Sequence, residues 1–225
     1  MLANQDELIT RYQRIRQVGL KLNNMLVQRL DKSRLQEGAQ QLSMLRGDVM
    51  VFDSVDMSSV LMDYCLHDVR RHGRTVIEDL LAEGRFPPGS DEWVYLDAIR
   101  EAKYGIFLVE RIEPGVGVDV LDVIRGKRAR IVDLNFSRTA QPGVALAARI
   151  CAPGDFTMTT GAALPLGLLP EKEQAEFVRQ METARGEGLD DLSPADRSAA
   201  IAKIIRTAIK KGAADQIAYE EPGTP

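Results

Sequence analysis

The chain has 225 residues, 44% of them hydrophobic and 28% charged, with a formal net charge of −4 at pH 7. That supplies apolar material for one large domain or two small ones, and it excludes a wholly disordered chain. The mild negative charge excludes a protein whose whole surface blankets nucleic acid, while leaving room for a local basic patch.

The first residues, "MLANQDELIT", contain no apolar stretch of the kind a secretion signal needs. Residues 5–30 read as one helix, because Leu8, Tyr12, Ile15, Leu22, Met25, Leu26 and Leu30 recur at three- and four-residue spacings. Ser33 and Gln36 match a capping box and open a second helix carrying Leu35, Ala39, Leu42 and Leu45, which Gly47 ends. "DVMVFDS" is short, β-branched and aromatic, and suits a lone strand or an extended connector. A long helix is expected from Asp56 to Ala82, with Met62, Leu66, Val69, Val76, Ile77, Leu80 and also Gly73 on one face. "EGRFPPGSD" breaks the chain, and Ser90 caps a further helix that turns Trp93, Leu96 and Ile99 inward.

Near Tyr104 the period changes from helical to alternating. "YGIFLVERIE", "VGVDVLDVI", "KRARIVDL", "VALAARICA" and "DFTMTT" are five short apolar runs, separated by the turn signals "PGVG", "RGK", "AQPG" and "APGD". Five strands between residues 104 and 160 suit a small antiparallel β-barrel of the OB or SH3-like kind. "GAALPLGLLP", the longest apolar-looking stretch, is interrupted by prolines and glycines, and no run approaches the roughly 20 residues that span a bilayer. Pro170 starts a helix carrying Phe177, Val178 and Met181. Ser193 caps the last helix, with Pro194 and Asp196 in its first turn and a stripe of Ile201, Ile204, Ile205, Ala208 and Ile209. Gly212 closes that helix after Lys210 and Lys211, and "YEEPGTP" forms a tail. The expectation is an α+β fold: a helical region over 1–102, a five-stranded barrel over 103–165, and a C-terminal helical pair with its tail over 166–225. Two cysteines make no disulfide framework, so a cytoplasmic protein with reduced thiols and no membrane partner is expected.

One short stretch concentrates metal-ligating residue types. "CLHDVRRHGR" holds Cys65, His67, Asp68 and His72, including both histidines of the chain. On a continuous helix, at about 100° per residue, Cys65, Asp68 and His72 fall on one flank of the apolar face. Asp63 and His67 fall on the opposite flank, beside Arg70 and Arg74. Thiolate, carboxylate and imidazole at i, i+3 and i+7 are chemically suited to zinc, so a metal cofactor held by Cys65, Asp68 and His72 is one reading. It needs a further ligand from another element. The plainer reading makes Cys65 a small core residue and Asp68–His72 a helical i, i+4 pair.

A second candidate is basic. "IRGKRAR" places Arg125, Lys127, Arg128 and Arg130 around a hairpin turn, with Arg128 and Arg130 on one strand face. Cations beside a small barrel suit a phosphate backbone, which makes nucleic acid a candidate partner. Sequence-tolerant binding also wants exposed aromatics, and these are only 5% of the chain. A solubilising hairpin tip is the competing explanation. Nucleophile-elbow, Walker A, Rossmann and paired-cysteine motifs do not occur.

The "VFDS…VLMDY" approach to the third helix, the "EPGxG" turn at Glu113–Gly117, the hairpin at Asp122–Gly126 and "SR…PG" at Ser137–Gly143 form a recognisable set over residues 48–152. In these it resembles a group of uncharacterised bacterial proteins that often end in a short SEC-C zinc-binding motif. The resemblance implies a helical part followed by a small β module, and no activity. Residues 152–225 contain neither Cys nor His, so no zinc ligand of that motif carries over.

These observations favour a non-catalytic interaction or regulatory protein, leaning away from an enzyme, that binds a macromolecule through the barrel or an amphipathic helix. A protein partner or a homo-oligomer fits the apolar stripes. A metal-dependent enzyme, such as a hydrolase built on the 65–72 segment, is the alternative, and a purely structural homo-oligomer is the third.

Overall fold

A computed structural model of the chain describes residues 2–47, 49–50, 55–183 and 188–210. Helix α1 (Leu2–Gln28) buries the expected stripe of Tyr12, Ile15, Leu22 and Leu26. At Gly19 a Cβ would lie 2.7 Å from the Tyr95 ring, so glycine is what lets the two segments approach. Helix α2 (Lys32–Gln41) is capped by Asp31, which accepts the Arg34 N–H. The cap therefore sits two residues before the expected Ser33, whose hydroxyl instead donates to Asp31 Oδ1 at 2.8 Å. A two-rung ribbon of β1 (Leu45–Arg46) and β2 (Val49–Met50) follows. The remainder of "DVMVFDS", Asp48 and residues 51–54, lies outside the described residues.

The long helix expected over 56–82 is two helices, α3 (Val55–His67) and α4 (Val76–Ala82). Between them Arg71 and Arg74 exchange backbone hydrogen bonds of 2.8 and 3.0 Å across a tight turn. His72 and Gly73 occupy that turn at φ 51° and 79°. Gly73, read from the pattern as a helix contact, is a turn residue. Thr75 then restarts the helix with a complete capping box: it accepts the Glu78 N–H at 3.2 Å, and Glu78 accepts the Thr75 N–H at 2.7 Å. Helix α5 (Asp91–Arg100) begins at Ser90, as its sequence signal predicts.

The five strands are β3 (Lys103–Glu113), β4 (Gly117–Asp122), β5 (Lys127–Val132), β6 (Val144–Cys151) and β7 (Met158–Leu168). A one-turn helix, α6 (Phe136–Thr139), joins β5 to β6. The strands pair antiparallel in the order β5-β4-β3-β6-β7. Both faces of β3 are covered, which is why "GIFLV" reads as a continuous apolar run. Tyr104, Ile106 and Leu108 join the main core with the helices, while Phe107 and Val109 join Val118, Val120, Ile131, Leu146 and Ala148 in a second core on the other face. β7 runs to Leu168, well beyond the expected "DFTMTT", and tolerates Pro165 because it is an edge strand.

The sheet does not close into the expected barrel. Its two ends touch at one parallel bridge, Ile131 to Thr157, where Val132 N–H donates to Thr157 O at 2.8 Å. The next acceptor along that side, Thr159 O, is taken by Arg16 of α1 at 3.1 Å, and β5 ends at Val132 before the chain turns into α6. A closed barrel needs a full ladder at the seam, and a helix fills that place here.

Helix α7 (Glu171–Thr183) carries Phe177, Val178 and Met181 against the core. Helix α8 (Pro194–Lys210) starts at Ser193, whose hydroxyl accepts the Asp196 N–H at 3.2 Å. It buries Ile201, Ala202, Ile205 and Ala208. Tyr64 Oη lies 2.7 Å from Ser198 Oγ, fixing α8 against α3. The expected stop at Gly212 and the tail lie outside the described residues. Among the described residues, no helix is long and apolar enough to cross a membrane.

The restart at Thr75 can be measured. Thr75→Ala removes one half of the capping box, and urea denaturation should show a loss of about 1 kcal/mol, with Tm lower by about 2–4 °C. An unchanged midpoint would mean that the Arg71–Arg74 turn alone positions α4.

Candidate functional site

Two ionic layers meet where α3, α5, the sheet and α8 converge. The inner layer is centred on Arg149 of β6, which is 3% exposed. Its parity along the strand, shared with Ala145, Ala147 and Cys151, turns it to the helical side of the sheet. Arg149 Nε donates to Asp63 at 2.9 Å, Nη2 donates to Asp68, and the guanidinium lies 5.2 Å from the centre of the Tyr104 ring. Thr160 Oγ1 donates to the other Asp63 oxygen at 2.8 Å, and His67 Nε2 stands 3.7 Å from it.

Burial raises the cost of ionising Asp63, yet Arg149 more than reverses this and holds the carboxyl below its usual range. Asp68 goes the other way. Burial and the neighbouring Asp63 lift it to about 6 against the pull of Arg149. Burial and the facing Arg149 push His67 down to about 3, so its imidazole is neutral at physiological pH.

The outer layer is a cavity of about 250 Å³. Its walls include Arg100 and Glu101 from the end of α5, Lys103 and Tyr104 from the start of β3, and Arg125 from the β4–β5 turn. Leu189 and Asp190 come from the segment before α8, Arg197 and Ile201 from α8 itself, and Arg149 from the inner layer. Five cationic side chains thus line it against two acidic ones.

The turn fixes Arg125 firmly. Asp122 Oδ1 accepts the Ile124 and Arg125 N–H groups at 3.0 and 3.1 Å, Asp122 Oδ2 accepts from Arg125 Nη1 at 2.7 Å, and both terminal nitrogens reach Tyr104 O at 3.2 Å. The free edge of its fork grips Asp190, Nη2 to Oδ1 at 2.8 Å and Nε to Oδ2 at 3.1 Å, while Lys103 Nζ reaches Oδ2 at 2.8 Å. These hydrogen bonds, led by Arg125, hold the Asp190 carboxyl far below the ordinary range. Arg197 is met differently. Its Nε donates to Leu189 O at 3.0 Å and its Nη2 to Leu192 O at 3.2 Å and Asp190 O at 3.3 Å. It has no carboxylate partner among the described residues.

The structure does not bring Cys65, Asp68 and His72 together as a ligand set, because α3 ends at His67. Cys65 is fully buried, its Sγ 3.6 Å from Arg34 O, and burial pushes its thiol up to about 12. Asp68 is held by Arg149, and His72 is exposed in the turn. Among the described residues, no group of three or more His, Cys, Asp or Glu is arranged to hold a metal ion. The wheel separates Asp63 from Asp68, yet both reach Arg149.

The basic hairpin divides. Arg125 turns into the cavity, Lys127 is exposed, Arg128 forms a fork with Glu110 at 2.8 and 2.9 Å, and Arg130 pairs with Glu113 and, at 3.5 Å, Asp119. Reading the sequence by motif passes over Arg149, Lys103, Asp190 and Arg197. Only Arg149 leaves a signal, as an arginine at a core-facing parity in "VALAARICA", which demands buried carboxylates.

Two measurements probe the inner layer. Arg149→Met strands Asp63 and Asp68 without their cation, and chemical denaturation should show a loss of about 3–5 kcal/mol. The second concerns Asp68, whose pKa rises from 3.8 to about 6 on folding, so the folded state binds more protons between those values. Wild-type stability relative to Asp68→Asn therefore falls as pH rises from about 4 to about 6 and is level above, a change of at most about 3 kcal/mol. A difference that is flat, or that grows with pH, would contradict the assignment.

No curated protein and no solved structure matches the chain. The family model that does match is that of DUF7986, a family of unknown function, over residues 6–186. That span is wider than the 48–152 resemblance drawn from the motifs, and it brings no SEC-C association with it. By that match, which covers the helical part, the sheet and α7 and stops short of Asp190 and α8, the chain belongs to the DUF7986 family of unknown function.

Proposed function

We propose that the protein is a non-catalytic interaction or regulatory protein that recognises an oxyanion, phosphate or carboxylate, in the cavity between α5, β3 and the 188–192 segment. One observation carries this reading: Arg100, Lys103, Arg125, Arg149 and Arg197 line the same cavity, against only Glu101 and Asp190. Guanidinium and ammonium groups keep their charge at physiological pH and present planar or pointed sets of N–H donors, so they bind and orient anions without exchanging protons. The one carboxylate held there already shows the fit, since Arg125 grips Asp190 with the two-point geometry that carboxylates and phosphates share. Asp63 and Asp68 are paired with Arg149, and the Cys65 thiol is bonded to Arg34 O.

The competing occupant is nucleic acid on the hairpin, where the Arg128 side chain is 75% exposed although paired with Glu110. Calorimetric titration at low ionic strength separates the two. Pyrophosphate or succinate should bind wild type, and Arg100→Ala/Lys103→Ala should weaken that binding about tenfold or more. Failure of both anions to bind, or binding undiminished in the double variant, would overturn the reading. Single-stranded RNA binding that is lost in Arg128→Ala/Arg130→Ala but kept in the cavity variant would move the site to the hairpin.

A further inference from the structure

We infer that the segment 188–192 is a tethered stand-in for the ligand, and that the ligand carries two linked oxyanion groups which replace it. The inference rests on the oxyanion reading above and adds to it the ligand's class and the competition that regulates the site.

The segment makes two kinds of contact with the cavity, and both are what an oxyanion would make. Its one carboxylate in the cavity, Asp190, accepts from the Arg125 fork and from Lys103 Nζ at 2.8 Å. Its backbone carbonyls at Leu189, Asp190 and Leu192 accept from Arg197. One guanidinium is thus met by a carboxylate and the other by carbonyls, and all three cations line a single cavity. A ligand with one oxyanion at Arg125 and Lys103 and another at Arg197 reproduces every hydrogen bond that the segment gives up. At Arg197 it improves on them, because a charged acceptor replaces neutral ones.

Arg149 is a further cation of this cavity. Asp63 takes its Nε and Asp68 its Nη2, and among the described residues no carboxylate takes Nη1. Arg149, only 3% exposed, lines the same cavity.

The segment can leave without the helix that follows it. Asp190 keeps 42% of its side-chain surface exposed, so solvent screens its ion pairs and can replace them. Leu189 is its one buried apolar side chain. Helix α8 is anchored separately, by Ile201, Ala202, Ile205 and Ala208 in the core and by Ser198 at Tyr64. Exchange of 188–192 is therefore a local opening, drawn from the weakly held end of the structure. Both the segment and α8 lie outside the 6–186 span of the family match.

The test compares Asp190→Asn with Asp191→Asn, which makes the same change of charge one residue away from the Arg125 fork. Each is titrated with pyrophosphate, succinate, inorganic phosphate and acetate. A built-in competitor reduces the apparent affinity by the fraction of time the site is filled. Asp190→Asn should accordingly tighten pyrophosphate or succinate binding about threefold or more, and Asp191→Asn should leave it near wild type. Which of the two anions gains more tells phosphate chemistry from carboxylate chemistry.

Equal gains in both variants would reduce the effect to net charge, and no gain in Asp190→Asn would remove the competition; either overturns the inference and leaves the oxyanion site standing if wild type binds. Phosphate or acetate binding as tightly as its two-headed counterpart would overturn the second group. No binding by wild type or Asp190→Asn would remove the site and the inference together. Hydrogen exchange on wild type gives a readout independent of any variant: ligand should speed exchange at the 189–192 amides and leave 201–208 protected. Unchanged or slower exchange at 189–192 overturns the inference.

Discussion

The helical layer and the sheet are registered to each other by one buried cation. Arg149 sits at a core position of β6 and reaches two carboxylates of the α3 region, one inside the helix and one just past its end. A buried guanidinium is tolerable only if fully paired, because an unpaired charge in that environment is worth several kcal/mol of destabilisation. The pairing therefore specifies more than it stabilises. A slide of α3 along β6 that would cost an apolar interface little would here separate charges. Thr160 on β7 adds a second strand to the same constraint by donating to Asp63.

Helix α3 ends just before Asp68. Asp68 keeps a helical backbone bond, its N–H donating to Tyr64 O at 2.8 Å, and the chain then goes on into the Arg71–Arg74 turn instead of another helical turn. The apolar spacing of Val69, Val76, Ile77 and Leu80 is compatible with a continuous helix, so periodicity alone predicts one. The residues that break it were visible: His72–Gly73 is a pair able to take positive φ, and Thr75 with Glu78 is a capping box. Local chemistry prevailed over the longer-range pattern. At Ser90 and Ser193 no such conflict exists, and both caps are legible from sequence.

The strands were legible for the same reason that the barrel was not. Alternation and turn residues report each strand and its neighbour in sequence, and four of the five runs fall where the pattern puts them. Closure depends on what lies beside the first and last strands, which no local pattern records. Here Arg16, more than a hundred residues away along the chain, occupies the acceptor that a closing ladder would use. The outer cavity is illegible for an equivalent reason. Its cations come from α5, β3, a turn, β6 and α8, singly and without spacing, and only folding gathers them.

The basic hairpin shows how gathering changes meaning. In sequence, Arg125, Arg128 and Arg130 form one patch. In the fold, Arg128 and Arg130 face Glu110, Glu113 and Asp119 across the sheet, and the patch is largely neutralised on its own surface. Arg125 is separated from them by the turn that Asp122 organises, and its fork points to the opposite side, towards the cavity. Counting charges along the chain thus registers the hairpin and not the cavity. The two sites differ in kind as well as in place. On the hairpin Arg128 and Arg130 pair with carboxylates fixed on β3 and β4. In the cavity, Arg125 is held by Asp122 and in addition shares with Lys103 a carboxylate carried on a short exposed segment, and Arg197 is met by carbonyls alone. An acceptor held by a strand is part of the scaffold, whereas one held by such a segment can be exchanged. That difference, more than the number of cations, is what separates the cavity from the hairpin.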